Sequence, residues 1–126
     1  MTDKILEARE IRDSFSGLFS KQYIQKGALI LSLGEPTLDR PTRTSIQIHN
    51  KHVEHPLGAY INHHCEPSSF VNSDDSEILA LKDIQPNEEI TIDYMQTESK
   101  MAESFYCNCC KKTKRICKFI VILTLI

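Results

Sequence analysis

The chain of 126 residues has no strong charge of either sign, no bilayer-length apolar run and no sustained amphipathic helix pattern. A formal net charge of −2 gives it no general basic surface for a nucleic-acid backbone. The basic cluster Lys111, Lys112, Lys114, Arg115 and Lys118 is too short to argue for one. The apolar end, residues 119–126, falls far below the ~20 residues that span a bilayer, so no membrane partner is expected. It reads as a buried terminal strand or as an abnormal end to the reading frame. Residues 1–10 lack the apolar centre of a signal peptide. The five cysteines are therefore not expected to form a secreted disulfide scaffold, and the setting is expected to be intracellular, cytoplasmic or nuclear.

What is present reads as one domain with a single core. Short apolar stretches at residues 5–11, 18–19, 28–33, 44–48, 77–81 and 89–93 have strand length or alternation, although the charges in the first leave a helix possible. Residues 57–61 suit one helical turn. Residues 23–30 and 83–90 share the frame Ile-Gln-x-(Gly/Asn)-x-x-Ile. Pro86-Asn87 suits the centre of a type II turn, and Gly27 meets the same need for positive φ. Both copies are expected to be tight turns feeding a core strand. The whole implies a mainly β fold of small sheets.

Charge is unevenly distributed. Ten acids lie between Glu66 and Glu103 against Lys82 and Lys100. This reads first as a solvated face, and more sharply as an acidic rim that steers a basic peptide. His49, His52 and His55 are spaced three apart in a loop-like stretch and read as surface polar residues rather than metal ligands.

Two segments stand out. Asn62-His63-His64-Cys65-Glu66-Pro67 can bring a backbone turn, an imidazole and a thiolate to one point. About thirty residues later, Glu88-Glu89-Ile90-Thr91-Ile92-Asp93-Tyr94 alternates as a strand and carries a tyrosine out of its end. Together they resemble the signature segments of the SET domain, the fold of most protein lysine methyltransferases, which read Asn-His-Ser-Cys-x-Pro-Asn and Gly-Glu-Glu-Leu-Thr-x-Asp-Tyr. Gly17-Leu18-Phe19, followed by Lys26-Gly27-Ala28-Leu29-Ile30, resembles the amino-terminal segment of the same family.

The resemblance implies a SET-domain fold, β-clip-like small sheets with a carboxyl-terminal pseudoknot, over residues 1–104. The implied activity is methyl transfer from S-adenosylmethionine to a lysine of a protein or basic peptide, with a histone-like tail as one candidate. Tyr94 is implied as the catalytic residue. Gly17, Leu18, Phe19, Tyr60, Asn62, His63 and Phe105 are implied to bind the cofactor. Lysine's ordinary pKa is about 10.4, so such a site must bring the amine in neutral. It must also align nitrogen, methyl and sulfur, which is a matter of positioning rather than acid or metal.

Cys65, Cys107, Cys109 and Cys117 are implied as a structural Zn2+ site, a closed set of four thiolates in a post-SET-like segment at residues 105–118. Cys110 is left over as a free thiol. Residues 119–126 form an apolar tail of unclear role.

The chain also departs from the family pattern. Phe15 and Ser16 replace a glycine and its follower. Ser32 stands where a second channel tyrosine is common, and Ala59 where an arginine is. Ser68 replaces an asparagine, and Ile92 an aromatic that often sets how many methyls are added. Seven residues separate Cys109 from Cys117 where four are usual. An alternative is therefore a degenerate SET module that grips a peptide or cofactor without chemistry. A third is a zinc-stapled structural protein.

Overall fold

The structure is a computed structural model that describes residues 5–13 and 15–97. The post-SET-like segment, the apolar tail and the carboxyl-terminal loop of the expected pseudoknot lie outside the described residues.

β1 (Leu6–Arg12) and β2 (Phe15–Ser20) form an antiparallel hairpin whose register shifts between Glu10 and Arg12. Most of β1 is exposed, and Leu6 is its one fully inward residue. The Arg9 and Arg12 guanidinium groups lie over the rings of Phe19 and Phe15 at 5.2 and 4.4 Å, covering part of that hairpin face. β3 (Leu29–Ser32), β4 (Ile46–Ile48) and β5 (Lys51–Val53) follow, then a 3₁₀ turn at Gly58–Tyr60. β6 (Asn62–His63), β7 (Ser69–Asn72), β8 (Glu77–Ala80), β9 (Glu89–Ile92) and the single turn α1 (Tyr94–Thr97) complete the order.

Among the described residues these strands make three small sheets, ordered β1-β2-β9-β6, β3-β8-β7 and β4-β5. The expected mainly β architecture is present. The shared Ile-Gln frame has a structural meaning, because its two copies pair with each other. Ile24 N–H donates to Ile84 O and Ile84 N–H to Ile24 O, both at 2.8 Å. Each copy closes a turn, Ala28 N–H to Gln25 O and Glu88 N–H to Gln85 O at 3.0 Å, with Gly27 at φ 88° and Asn87 at φ 71°. These are the positive φ values that a type II turn requires of its third residue. One turn feeds β3 and the other feeds β9, so the two sheets start from a common joint.

The core is mostly isoleucine and leucine on these strands: Leu18, Ile30, Ile78, Ile84, Ile90 and Ile92 are fully buried. β-Branched side chains suit the half-buried pleated surface, and their convergence supplies the main stabilising term.

The histidine stretch departs from expectation. It is not a surface loop, because residues 51–53 form β5 against β4. His49 is exposed and its Nε2 meets Asp74 at 3.2 Å. His52 is instead buried at 6% exposure, enclosed by pairing with Gln47 and by the bridge to Leu38. His55 turns its Nδ1 to accept the N–H groups of Leu57 and Gly58 at 3.0 and 3.2 Å, which caps the 3₁₀ turn. Three equally spaced imidazoles thus serve three different ends. Among the described residues no group of three His, Cys, Asp or Glu is placed to hold a metal.

Candidate functional site

Two segments distant in sequence meet where β6 runs parallel to β9. Asn62 lies opposite Thr91 and His63 opposite Ile92, and His64 N–H extends the ladder to Ile92 O at 3.0 Å. A strand of two residues cannot hold itself in place, and its neighbours do so. Upstream, the His55-capped turn delivers Ile61 and Asn62. Downstream, Ser68 and Thr91 bond reciprocally. Ser68 N–H donates to Thr91 Oγ1, Thr91 N–H donates to Ser68 Oγ, and Ser68 Oγ donates to Glu89 O, each at 3.0 Å. The two Ser68–Thr91 contacts are buried and the third is part-buried, and a hydrogen bond sheltered from water is costly to lose.

The His63 side chain is 3% exposed. Its Nδ1 accepts the Tyr94 backbone N–H at 3.0 Å, so this nitrogen carries no proton and the ring is the neutral Nε2–H tautomer. Nε2 faces Cys65 Sγ at 3.6 Å. Asp93 Oδ1 lies 3.6 Å from Nδ1, but a nitrogen already accepting a bond has no proton to give it. The histidine therefore acts here as a rigid acceptor that anchors the start of α1. The His63 and Tyr94 rings sit 5.3 Å apart at 54°, a favourable tilted arrangement.

Tyr94 is half-buried, and its hydroxyl donates to Ile61 O at 2.6 Å. The phenol proton is thereby committed to the backbone, and what the oxygen offers elsewhere is its lone pairs. A cleft of about 380 Å³, open mouth included, lies beside it, lined by residues 42–46 and by Gly58, Ala59, Ile61, Ile92 and Tyr94. Its wall at 42–45 is braced from beneath. Thr44 Oγ1 donates to the Glu54 carboxylate at 2.8 Å, Thr42 Oγ1 donates to the same group, and Thr42 N–H donates to Ser45 Oγ at 2.8 Å.

Asn62 belongs to a second interlocked unit. Its Nδ2 donates to Ser16 O at 2.9 Å and to Glu89 Oε2 at 2.8 Å. Both partners are acceptors, so the orientation of the amide is unambiguous. Gly17 lies against this pair. A Cβ there would stand 2.5 Å from Glu89 Oε2 and 3.1 Å from Asn62 Nδ2.

The structure thus brings Gly17, Asn62, His63, Cys65 and Tyr94 into one region. Leu18 is fully buried and paired with Ile90 in the core, and Phe19 is half-buried beneath Arg9. Tyr60 stands 41% exposed on the 3₁₀ turn. Phe105, Cys107, Cys109 and Cys117 lie outside the described residues.

The acidic stretch is not a single solvated face. Asp74, Asp75 and Asp83 are exposed, but Asp93 is buried, Glu89 holds Asn62, and Glu88 caps the Gln85 N–H at 2.9 Å while pairing with Lys82. The parts that pattern reading missed are Glu89, Ser68, the Ile61 carbonyl and the 42–45 wall. Glu89 stood within the segment at residues 88–94 and Ser68 was marked only as a departure from the family pattern, and neither signal gave its contact.

Comparison with known proteins adds three findings. The family model described as the SET domain matches residues 16–95. A SET and MYND domain-containing protein of Dictyostelium discoideum is 37% identical over 67 residues, 44% of this chain and 20% of that protein. The crystal structure of KRYPTONITE in complex with mCHH DNA, an H3(1–15) peptide and SAH superposes with a TM-score of 0.58 at 20% identity, over 82% of this chain and 27% of that one. The chain therefore spans about a fifth to a quarter of the length of these two proteins. At that identity the structural likeness shows a shared fold.

Proposed function

The chain belongs to the SET-domain family, and from that premise we propose that it transfers the methyl group of S-adenosylmethionine to the side-chain amine of a protein lysine. The observation that carries this reading is the contact of Tyr94, which lines the cleft, with His63, the residue after Asn62 on β6.

The chain's own residues fit the role. S-Adenosylmethionine, when bound, supplies an electrophilic methyl group on a sulfonium. Gly17, Asn62 and His63, with Tyr60 exposed on the preceding turn, are the residues that would hold it. Ile61 and Ile92 give the cleft apolar sides that disfavour a charged ammonium and so favour the neutral amine. The Tyr94 oxygen, its proton held by Ile61 O, presents lone pairs that can accept an N–H of the incoming amine and fix its direction. No general acid or base is needed beyond this alignment.

A basic peptide of histone-tail type is the substrate class this reading favours. KRYPTONITE is described with an H3(1–15) peptide, and the exposed acids Asp74, Asp75 and Asp83 suit a cationic segment. The reading extends to a structural zinc held by Cys65, Cys107, Cys109 and Cys117. Cys65 is buried beside His63, where a metal-bound thiolate would tie the tail to the site.

The test is incubation of the protein with isotopically labelled donor and a histone-derived peptide mixture. Labelled peptide is expected from the wild type and not from Tyr94→Phe. Binding of the donor without transfer to any peptide or extract protein would instead favour the binding module, to which the aliphatic Ile92 in the cleft gives some support.

A further inference from the structure

We propose that Glu89 is a positioning residue that fixes the Asn62 amide so that its carbonyl oxygen, Oδ1, is presented to an N–H donor of the ligand. This rests on the reading of the site as one for S-adenosylmethionine, whose amino-acid end carries such a donor in its ammonium group. Three observations carry the inference.

The first concerns the donors of Asn62. A primary amide has two N–H groups, and both are spent: one on Ser16 O at 2.9 Å and one on Glu89 Oε2 at 2.8 Å. A flipped amide would set its oxygen against two acceptors and is excluded by repulsion. Oδ1 is then the one polar atom of the amide left for a ligand. Among the described residues no donor meets it, and it is not among the sealed polar atoms. An oriented acceptor that is not sealed from solvent is what a cationic N–H would select.

The second concerns space. Gly17 lets the carboxylate and the amide reach each other, because a Cβ at that position would stand 2.5 Å from Glu89 Oε2, 3.0 Å from Ile11 Cδ1 and 3.1 Å from Asn62 Nδ2. The third concerns rigidity. Glu89 is anchored on both sides, by pairing with Phe19 and through its carbonyl oxygen to Ser68 Oγ. The carboxylate is thus held by backbone that the core fixes, and it passes that order to an amide on the opposite side of the strand pairing.

Two variants separate this role from a merely structural one. Glu89→Gln keeps an acceptor in place for Asn62 Nδ2 and removes the charge, whereas Glu89→Ala removes both. Two readouts are taken on the full chain: titration calorimetry with S-adenosylmethionine, and the side-chain amide signals of Asn62 by nuclear magnetic resonance without ligand. Glu89→Ala is expected to lose about tenfold or more in affinity and the solvent protection of the Asn62 amide protons, with the global fold intact by circular dichroism. Glu89→Gln is expected to stay within about threefold and to keep the protection.

Two results overturn the inference. One is Asn62 amide protons as protected in Glu89→Ala as in the wild type. The other is a Glu89→Gln variant that loses as much affinity as Glu89→Ala, which would make charge rather than orientation the contribution. Absence of binding by the wild type itself refutes the cofactor reading, and with it the presentation of Oδ1 to this donor. The resonance experiment then still decides whether Glu89 holds the amide.

Discussion

Tyr94 concentrates the functional argument into one hydroxyl. Tyr94→Phe removes the bond to Ile61 O and the lone pairs beside the cleft while keeping the ring against His63. It is expected to lower methyl transfer by about a hundredfold or more through loss of alignment, while stability changes by only about 1 kcal/mol. Steady-state rates alongside thermal melts check this pairing. Gly17→Ala forces a methyl into the contact between Glu89 and Asn62. The atoms it meets are side-chain tips that can shift, so the melting temperature is expected to fall little while cofactor binding weakens, measured by melting and calorimetry. His52 makes a different point. Burial pushes its pKa below the ordinary 6.5, and its Nδ1 has no partner among the described residues. A folded pKa held down means that the unfolded chain takes up the proton first as pH falls. Stability is then full above about pH 6.5 and drains away on acidification below it. His52→Leu is expected to flatten that acid limb of melting temperature against pH while leaving stability at pH 7.5 equal or higher, since no hydrogen bond of Nδ1 is lost.

At the level of elements, the parallel contact of β6 with β9 is the join on which the site depends, and Ser68 secures it. Ser68→Ala removes the acceptor of Thr91 N–H and a donor to Glu89 O in a buried setting. A cost of about 1–3 kcal/mol is expected, seen as a fall in melting temperature of about 4 °C per kcal/mol for a chain of this length. The same elements show what could be read without coordinates. β3, β8 and β9 were legible because isoleucine and leucine recur at strand spacing, and because Gly27 and Asn87 mark turns that need positive φ. β5, β6 and β7 were not. Lys-His-Val, Asn-His and Ser-Phe-Val-Asn are too short to show a period, and they become strands only because partners lie beside them. His52 was misplaced for that reason, since its burial comes from tertiary pairing rather than from its neighbours in sequence. The candidate site was legible at Asn62, His63 and Tyr94, where residue types carry the pattern. Glu89 and Ser68 stood in or beside the marked segments, but their contacts were hidden because their work is to hold other groups still.

Over the described residues, three small sheets surround the core, and the cleft lies where the 3₁₀ turn, Ile61, the end of β9 and Tyr94 face the braced 42–45 segment. No helix among the described residues is long and apolar enough to cross a membrane. The cysteines supply a further check at this scale. Metal analysis of the purified full chain is expected to give about one zinc per chain, as a closed four-thiolate site holds, and chelation is expected to lower the melting temperature. A metal-free protein of unchanged stability would reject the zinc assignment. The central claim is that this fold moves a methyl group onto a lysine amine. Mass spectrometry of a lysine-containing tail peptide, after incubation with protein and isotopically labelled S-adenosylmethionine, tests it most directly. Label is expected on a lysine Nζ in the wild-type reaction and is expected to be absent with Tyr94→Phe. Label appearing equally with both proteins, or on no lysine while the donor binds, would contradict it.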